Sequence, residues 1–293
     1  MTGMDAGVIR GGDAARHPDG DELATFRTTS GARSAGSAAP VLRTLRRLLV
    51  PLALLLLWQL VISLGIYTRG QLPAPLDVVA AGRELAATGQ LWPNILISIQ
   101  RVLLGFACGS AVAILVGLAV GLSRTVEEMV APTLQAIRAV PSLAWVPLLL
   151  LWMGLYEGPK LTLVAIGAFF PVYTNLVAGI RQIDRKLIEV GRAYGLRGPS
   201  LVGQVLLPAS LPSLLTGLRL GLAQGWLFLV AAELIAAQRG LGFLLIDSQN
   251  TGRVDIIVFS IIVLAVLGKT SDWLLQLLER RLLRWSDTFR GGA

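Results

Sequence analysis

Residues 187–208 read LIEVGRAYGLRGPSLVGQVLLP, a polar, basic, glycine-punctuated stretch set between two long apolar runs. Spanning segments meet their backbone hydrogen bonds internally and face lipid with apolar side chains. A helix-sized polar island between two such segments is therefore out of place inside a bilayer. It implies a part that is gripped, and moved, from outside the membrane.

The composition of the whole chain fits that setting. Of 293 residues, 54% are hydrophobic and 15% charged, against about 45–50% and about 25% in soluble domains. The bilayer is the expected solvent, and the 32 glycines suit helices whose backbones approach closely. A net charge of +8 does not point to nucleic acid, because the basic residues cluster at the ends of apolar runs. Cys108 is the only cysteine; it forms no intrachain disulfide and reads as a small packing residue. His17, the only histidine, lies in a polar stretch, so no metal site is expected.

Residues 1–40, rich in Gly, Ala, Ser, Asp and Arg, read as a disordered cytoplasmic tail. Arg43, Arg46 and Arg47 then precede an apolar run over 48–66. The charge pattern is that of a secretory signal, but signal cores run to about 7–15 residues and spanning helices need about 20. The run is read as a first crossing. Further apolar runs at 95–122, 129–155, 161–180, 211–237 and 256–278 bring the expected crossings to six, within an all-α membrane domain over 41–285. Residues 286–293 form a second tail. Between the first two runs, 75–90 reads as a weakly amphipathic surface helix with Leu76, Val79 and Leu85 as its apolar positions.

Lysine and arginine set the orientation. They concentrate in the tail, the 181–208 segment and the C-terminus, while the opposite loops carry only Arg69, Arg83, Lys160, Arg239 and Arg253. Both termini and the island are thus expected in the cytoplasm.

Within the island, Asp184 is placed to cap a short helix from Arg185 to about Tyr194. Leu187, Ile188, Gly191 and Tyr194 fall on one face of it. Gly195 stands where a left-handed residue ends a helix, and Pro199 after Gly198 suits the first turn of a second helix. Leu207-Pro208 is expected to end that helix and open the fifth crossing. Two uses remain open for this bent element: a solvated loop resting on lipid, or a surface that presents apolar and charged groups to a partner.

The spacing of Glu189, Gly195, Val205, Leu207 and Pro208 resembles the E-A-A-x3-G-x9-I-x-L-P pattern of ABC importer permeases. Val190 and Gly191 replace the two alanines and Val205 the isoleucine. Other segments, in order, resemble the nitrate/sulfonate/taurine branch of that family. They are Pro141-Ser142-Leu143-Ala144-Trp145-Val146-Pro147, Gly167-Ala168-Phe169-Phe170-Pro171, Leu206-Leu207-Pro208-Ala209, Thr216-Gly217-Leu218-Arg219-Leu220 and the Leu241-Gly242-Phe243-Leu244 turn. The resemblance covers about Leu48 to Trp285. It implies the type I ABC importer permease fold, with the island as the coupling element that docks on an ATP-hydrolysing subunit through Glu189, Gly191, Arg192, Tyr194, Gly195, Leu207 and Pro208. It implies two ATPase subunits that bind ATP and Mg, a second permease chain (an identical copy being the simplest case) and an extracytoplasmic binding protein. No cofactor is expected on this chain. The implied cargo is a small oxyanion such as an aliphatic sulfonate, taurine or nitrate, the alternative being a pyrimidine or other heterocyclic vitamin precursor.

Two other classes are weighed against this. A phosphate-binding loop needs G-x4-G-K-[ST]; Gly268-Lys269-Thr270 supplies its end, but Val263 occupies the first glycine position. Lys269 instead reads as snorkelling or pairing with Asp272. An ion-coupled transporter would carry intramembrane acids and internal repeats, yet Glu233 is the only acid well inside a run and no repeat is evident. It reads as a proton site, a substrate contact or, as favoured, a structural ion-pair partner. A membrane-embedded enzyme would need a nucleophile with its base, and no run contains histidine.

Charges inside a bilayer face a cavity or a partner. Arg101 falls in the outer third of the second run; Arg138 and Arg219 fall about 15 Å from their cytoplasmic ends at 1.5 Å per residue. Each is read either as a structural pair or as a ligand for an anion. Arg219 is the weakest ligand, since Gly217, Gly221 and Gly225 around it suit close helix packing. Pro141 and Pro147, flanking Ser142 and Trp145, are expected to kink the third crossing and free carbonyls there. That makes Arg138, Pro141, Ser142 and Trp145 the leading pathway residues, with Arg101 and Glu233 as further candidates.

Overall fold

A computed structural model describes residues 38–68 and 70–284. The expected tails, apart from residues 38–40, lie outside the described residues. Two compact units divide between Pro51 and Leu52, and the helical body that follows belongs to the second. No strand occurs among the described residues.

Helix α1 (Ala38–Ser63) starts inside the expected tail and carries a short apolar stretch, Leu49–Ser63. Next come α2 (Pro75–Ala87), α3 (Leu91–Leu122), α4 (Arg124–Ala139), a 3-10 turn (Ser142–Trp145), α5 (Val146–Met153) and α6 (Glu157–Arg181). The chain continues through α7 (Arg185–Ala193), α8 (Pro199–Leu201), a π turn (Val202–Leu206), α9 (Leu207–Ala236), α10 (Leu241–Asn250) and α11 (Val254–Leu282). Among the described residues, four helical stretches are long and apolar enough to cross a membrane: α3, the run from α8 through α9, α6 and α11. The broken pair of α4 and the 3-10 turn with α5 makes up to five. Of the six expected crossings, the first is the one whose described apolar helix falls short of that length.

Helix α6 is the centre, lying between α3 and α9. Its inward residues Leu163, Val164, Ala168, Val172 and Leu176 are at most 1% exposed. Lipid tails are as apolar as leucine, so helices in a bilayer associate through close fit rather than burial from water. Glycines supply the fit. A Cβ on Gly109 of α3 would press on the backbone of Ala165, and one on Gly217 of α9 would lie 3.1 Å from the Val172 Cα. A Cβ on Gly221 would lie 3.0 Å from the Ala168 carbonyl oxygen, whereas one on Gly225 would keep an ordinary 3.5 Å to a Val164 methyl. Two of the three stripe glycines thus bring backbones together, and the third does not. Large apolar side chains such as Leu56, Leu96, Leu151 and Leu227 point outward, the inversion expected of a body solvated by lipid.

The structure corrects four expectations. The third crossing is no kinked helix but a break of 87° between α4 and the segment that follows. Val140 is extended there (ψ 124°), because a residue before proline is pushed out of the helical region, and Pro141 follows at ψ 123°. The surface helix α2 buries Val78, Ala81, Gly82 and Leu85, with Gly82 beneath the Phe259 ring of α11, while Leu76 and Val79 are exposed. The Leu241–Leu244 segment is no turn but the start of α10. Cys108 is exposed rather than packed.

Candidate functional site

The polar island folds as the elbow its residues require. Asp184 caps α7, its side chain accepting from the Lys186 amide at 2.9 Å. Gly195 (φ +81°) and Gly198 (φ +54°) take the left-handed turns that follow, which β-carbons disfavour. Gly191 is the buried residue of α7; a Cβ there would lie 2.8 Å from Leu201 and 3.1 Å from Val205. The glycine that replaces alanine in the resembled pattern therefore lets α7 lie close against the returning chain. Pro208 does not end a helix as expected. The Leu207 amide reaches back to the Val202 carbonyl, a π turn that carries the chain from α8 into α9 without a stop. Insertions of this kind occur often at functional sites.

The outer face of the elbow is open. Leu187, Val190, Tyr194, Leu196 and Pro208 line an apolar groove of about 480 Å³, and Tyr194 is 84% exposed. Glu189 and Arg192 stand exposed on the same helix. Of the expected coupling residues, Gly191, Tyr194 and Pro208 border this groove, Glu189 and Arg192 stand on the same helix, Gly195 makes the turn after it, and Leu207 lies outside the groove at the start of α9.

The pathway candidates separate into three settings. Arg101 is 3% exposed; its guanidinium donates to Glu157 at 2.6 and 2.7 Å, to Glu233 at 2.8 Å and to the Arg239 carbonyl at 2.6 Å. Glu233 is fully buried and also accepts from Ser98 Oγ (2.8 Å) and the Gly242 amide (2.8 Å). Ser98 accepts the Leu241 amide and Asn94 the Gly240 amide, so consecutive amides at the start of α10 are held by side chains of α3 and α9. Both charges are spent on structure, the favoured reading of Glu233. Arg219 likewise donates to Asp272 (3.0 Å) and Glu279 (3.2 Å), joining α9 to α11, and Lys269 reaches Asp272 at 3.5 Å as expected.

Arg138 differs. Among the described residues it makes no ion pair. It lines a cavity of about 440 Å³ with Ser142, Thr174, Asn175, Gln224 and Phe170, and no carboxylate among the described residues borders that cavity. Pro141 supplies the break beside it. Trp145, expected with these residues, lines a separate apolar groove with Cys108 and Phe169. Sequence reasoning missed Asn175 and Gln224, and also the Asn94, Ser98, Arg101 stripe on one face of α3, whose spacing of four and three was available as a signal. Among the described residues no group of three or more His, Cys, Asp or Glu is placed to hold a metal.

An inverted helical body, a projecting polar elbow and a cationic cavity define a multi-pass membrane permease. The chain is 42% identical over 255 residues to the aliphatic sulfonates transport permease protein SsuC of Escherichia coli (86% of this chain, 97% of the relative). It is 39% identical over 247 residues to the SsuC of Bacillus subtilis (84% and 90%). It belongs to the binding-protein-dependent transport system inner membrane components, whose family model matches residues 109–284. The taurine transport system permease protein TauC of E. coli is 35% identical over 237 residues (79% and 86%). A chain of the MetNI methionine ABC transporter, solved in inward-facing conformations, shares the fold at a TM-score of 0.56 and 20% identity, over 68% of this chain and 97% of that one. The chain is thus the inner-membrane permease of an ABC importer, a system in which ATP is hydrolysed on a separate subunit. Val263–Thr270, whose end matches that of a phosphate-binding loop, lie within α11.

Proposed function

We propose that this permease imports a small organic oxyanion, an aliphatic sulfonate or taurine, through a path bordered by Arg138. Two copies of the chain, each crossing the membrane six times with both ends in the cytoplasm, would surround that path. An ATPase subunit carrying ATP and Mg docks on each α7 elbow, and a binding protein delivers cargo to the far side. The observation that carries the reading is the contrast among three arginines: Arg101 and Arg219 are fully paired with acids, while Arg138 faces a cavity without one. A sulfonate offers three oxygens for charge-assisted hydrogen bonds, and Phe170, Leu220 and Phe228 in the same cavity suit its alkyl part better than they suit bare nitrate. A neutral heterocycle would leave the arginine uncompensated. The names of the relatives at 39% and 42% identity point to the same cargo.

The mechanism follows from the two sites. Closure of the ATPase pair displaces α7, whose apolar groove seats on the motor through Tyr194. The displaced helices then open the cavity to the opposite side. The test is uptake of radiolabelled sulfonate by the reconstituted importer. A hydrogen bond to a charged group contributes about 1.5–3 kcal/mol, so Arg138→Ala should lower uptake at subsaturating cargo by about tenfold or more with assembly intact. Arg138→Lys, which keeps charge but loses the fork, should fall between. Wild-type uptake by Arg138→Ala would remove this cavity from the path.

A further inference from the structure

Helix α4 is held unlike its neighbours. None of its residues is buried; Val126, Val130 and Leu134 rest on the core as one half-buried row. Its C-terminal end is cut off by the extended Val140–Pro141 break. At its other end Glu127, in the first turn, pairs with Arg181, in the last turn of α6. Arg181 stands three residues before Asp184, the cap of α7. The same helix carries Arg138, which borders both the 440 Å³ cavity and a second hollow of about 230 Å³ reaching to Glu127 and Arg181.

We propose that the Glu127–Arg181 ion pair is the relay by which displacement of α7 re-aims Arg138. A push on α7 moves the end of α6 and, through the pair, the start of α4. That helix pivots about Val140–Pro141, and its last turn swings in the cavity wall. Glu127 and Arg181 are positioning residues, remote from the cargo. The inference rests on the reading that α7 takes the motor's push, and it adds the path by which the push reaches the cavity.

The pair is part-exposed, with side chains 35% and 48% accessible, so its loss shifts a conformational balance by about fivefold at most. The test measures uptake per ATP hydrolysed in the reconstituted importer with its ATPase subunits and binding protein, using taurine and a short alkyl sulfonate as cargo. Glu127→Gln and Arg181→Gln should each assemble and hydrolyse ATP yet move less cargo per ATP, by a factor of about two to five. The charge exchange, Glu127→Arg with Arg181→Glu, should recover most of the loss. Arg124→Gln, which removes an exposed pair with Glu128 on the same helix, should leave the ratio unchanged. Wild-type ratios in both single variants, or an exchange no better than either, overturn the relay. Tyr194→Ala is run beside them. If it releases the ATPase while the pair variants transport normally, the relay alone fails. If it changes nothing, the reading of α7 fails and takes the relay with it.

Discussion

Glu233→Ala is expected to be among the most damaging ionic changes in the helical body, and the structure says by how much. The carboxylate is fully buried and accepts from Arg101, Ser98 and the Gly242 amide, each at 2.8 Å. Deleting one member of a buried ion pair costs about 3–5 kcal/mol, because the partner charge is stranded. Arg101 is not wholly stranded, since two bonds to Glu157 and one to the Arg239 carbonyl remain. That places the loss near the lower end, about 3 kcal/mol, much of it from the Gly242 amide and Ser98 hydroxyl left without an acceptor. Glu157 touches the same guanidinium, but its side chain is 51% exposed, so water replaces it and Glu157→Gln should cost about 1 kcal/mol or less. Glu233→Gln, which keeps the volume and one acceptor, should fall between. Thermal unfolding midpoints of the purified permease in detergent read the order directly. If Glu157→Gln lowered the midpoint as much as Glu233→Ala, burial would not be what makes Glu233 costly, and the reading of this cluster as the anchor of α10 would be wrong.

Two further outcomes follow from geometry elsewhere. Gly109→Ala sets a methyl against the Ala165 backbone, 2.8 Å from its Cα, and a main chain inside α6 cannot turn aside. A loss of about 1–3 kcal/mol, read as a lower unfolding midpoint, is expected, whereas Gly203→Ala, with open space around it, should be nearly silent; equal effects would mean that α3 and α6 are not in contact through Gly109. At the α2–α11 corner, Arg253 donates to Glu84 at 2.7 and 3.1 Å and holds its carboxyl below the ordinary 4.5. A folded-state value below the unfolded one stabilises at higher pH and is lost as pH falls through the folded value. The advantage of wild type over Glu84→Gln should therefore be present at neutral pH and fade on acidification below about pH 4.5, and an advantage that grew with acid would show the pair is not formed.

Local chemistry made the elbow legible. Asp184, Gly195 and Pro199 each act on their own backbone within a few residues, so capping, left-handed turn and helix start were all available from spacing. The π turn was not, because Pro208 is compatible both with a helix start and with the first turns of one that runs on. Gly191 lies close to Leu201 and Val205, a proximity between separate segments that spacing alone does not reveal. The α4–α5 break was half legible. Proline placed it, yet its size follows from Val140 and Pro141 both being extended, which sequence alone signals only for the residue before proline. Helix α2 was misjudged for the same reason as α10: each is short and only weakly periodic, and each is ordered by what it packs on, α11 in one case and the Glu233 cluster in the other.

The three intramembrane arginines show where sequence reading stops. Arg101 and Arg219 sit in long apolar helices and Arg138 in the amphipathic α4, and a charge in any of them calls for a partner or a cavity. Their roles are set by acids far along the chain: Glu157 and Glu233 for Arg101, Asp272 and Glu279 for Arg219. Once those acids are assigned, the bilayer still demands an opposite charge or water for Arg138. The cavity it borders at the break of a loosely held helix, lined by two hydroxyls and two amides, supplies no carboxylate among the described residues. On the proposed reading, a site that binds an anion and then lets it go is better built this way, since a resident carboxylate would compete with the cargo at every turnover. The same proposal accounts for the lack of a buried residue in the helix that bears Arg138: a wall packed as tightly as α6 would hold the anion without turning it toward the other side.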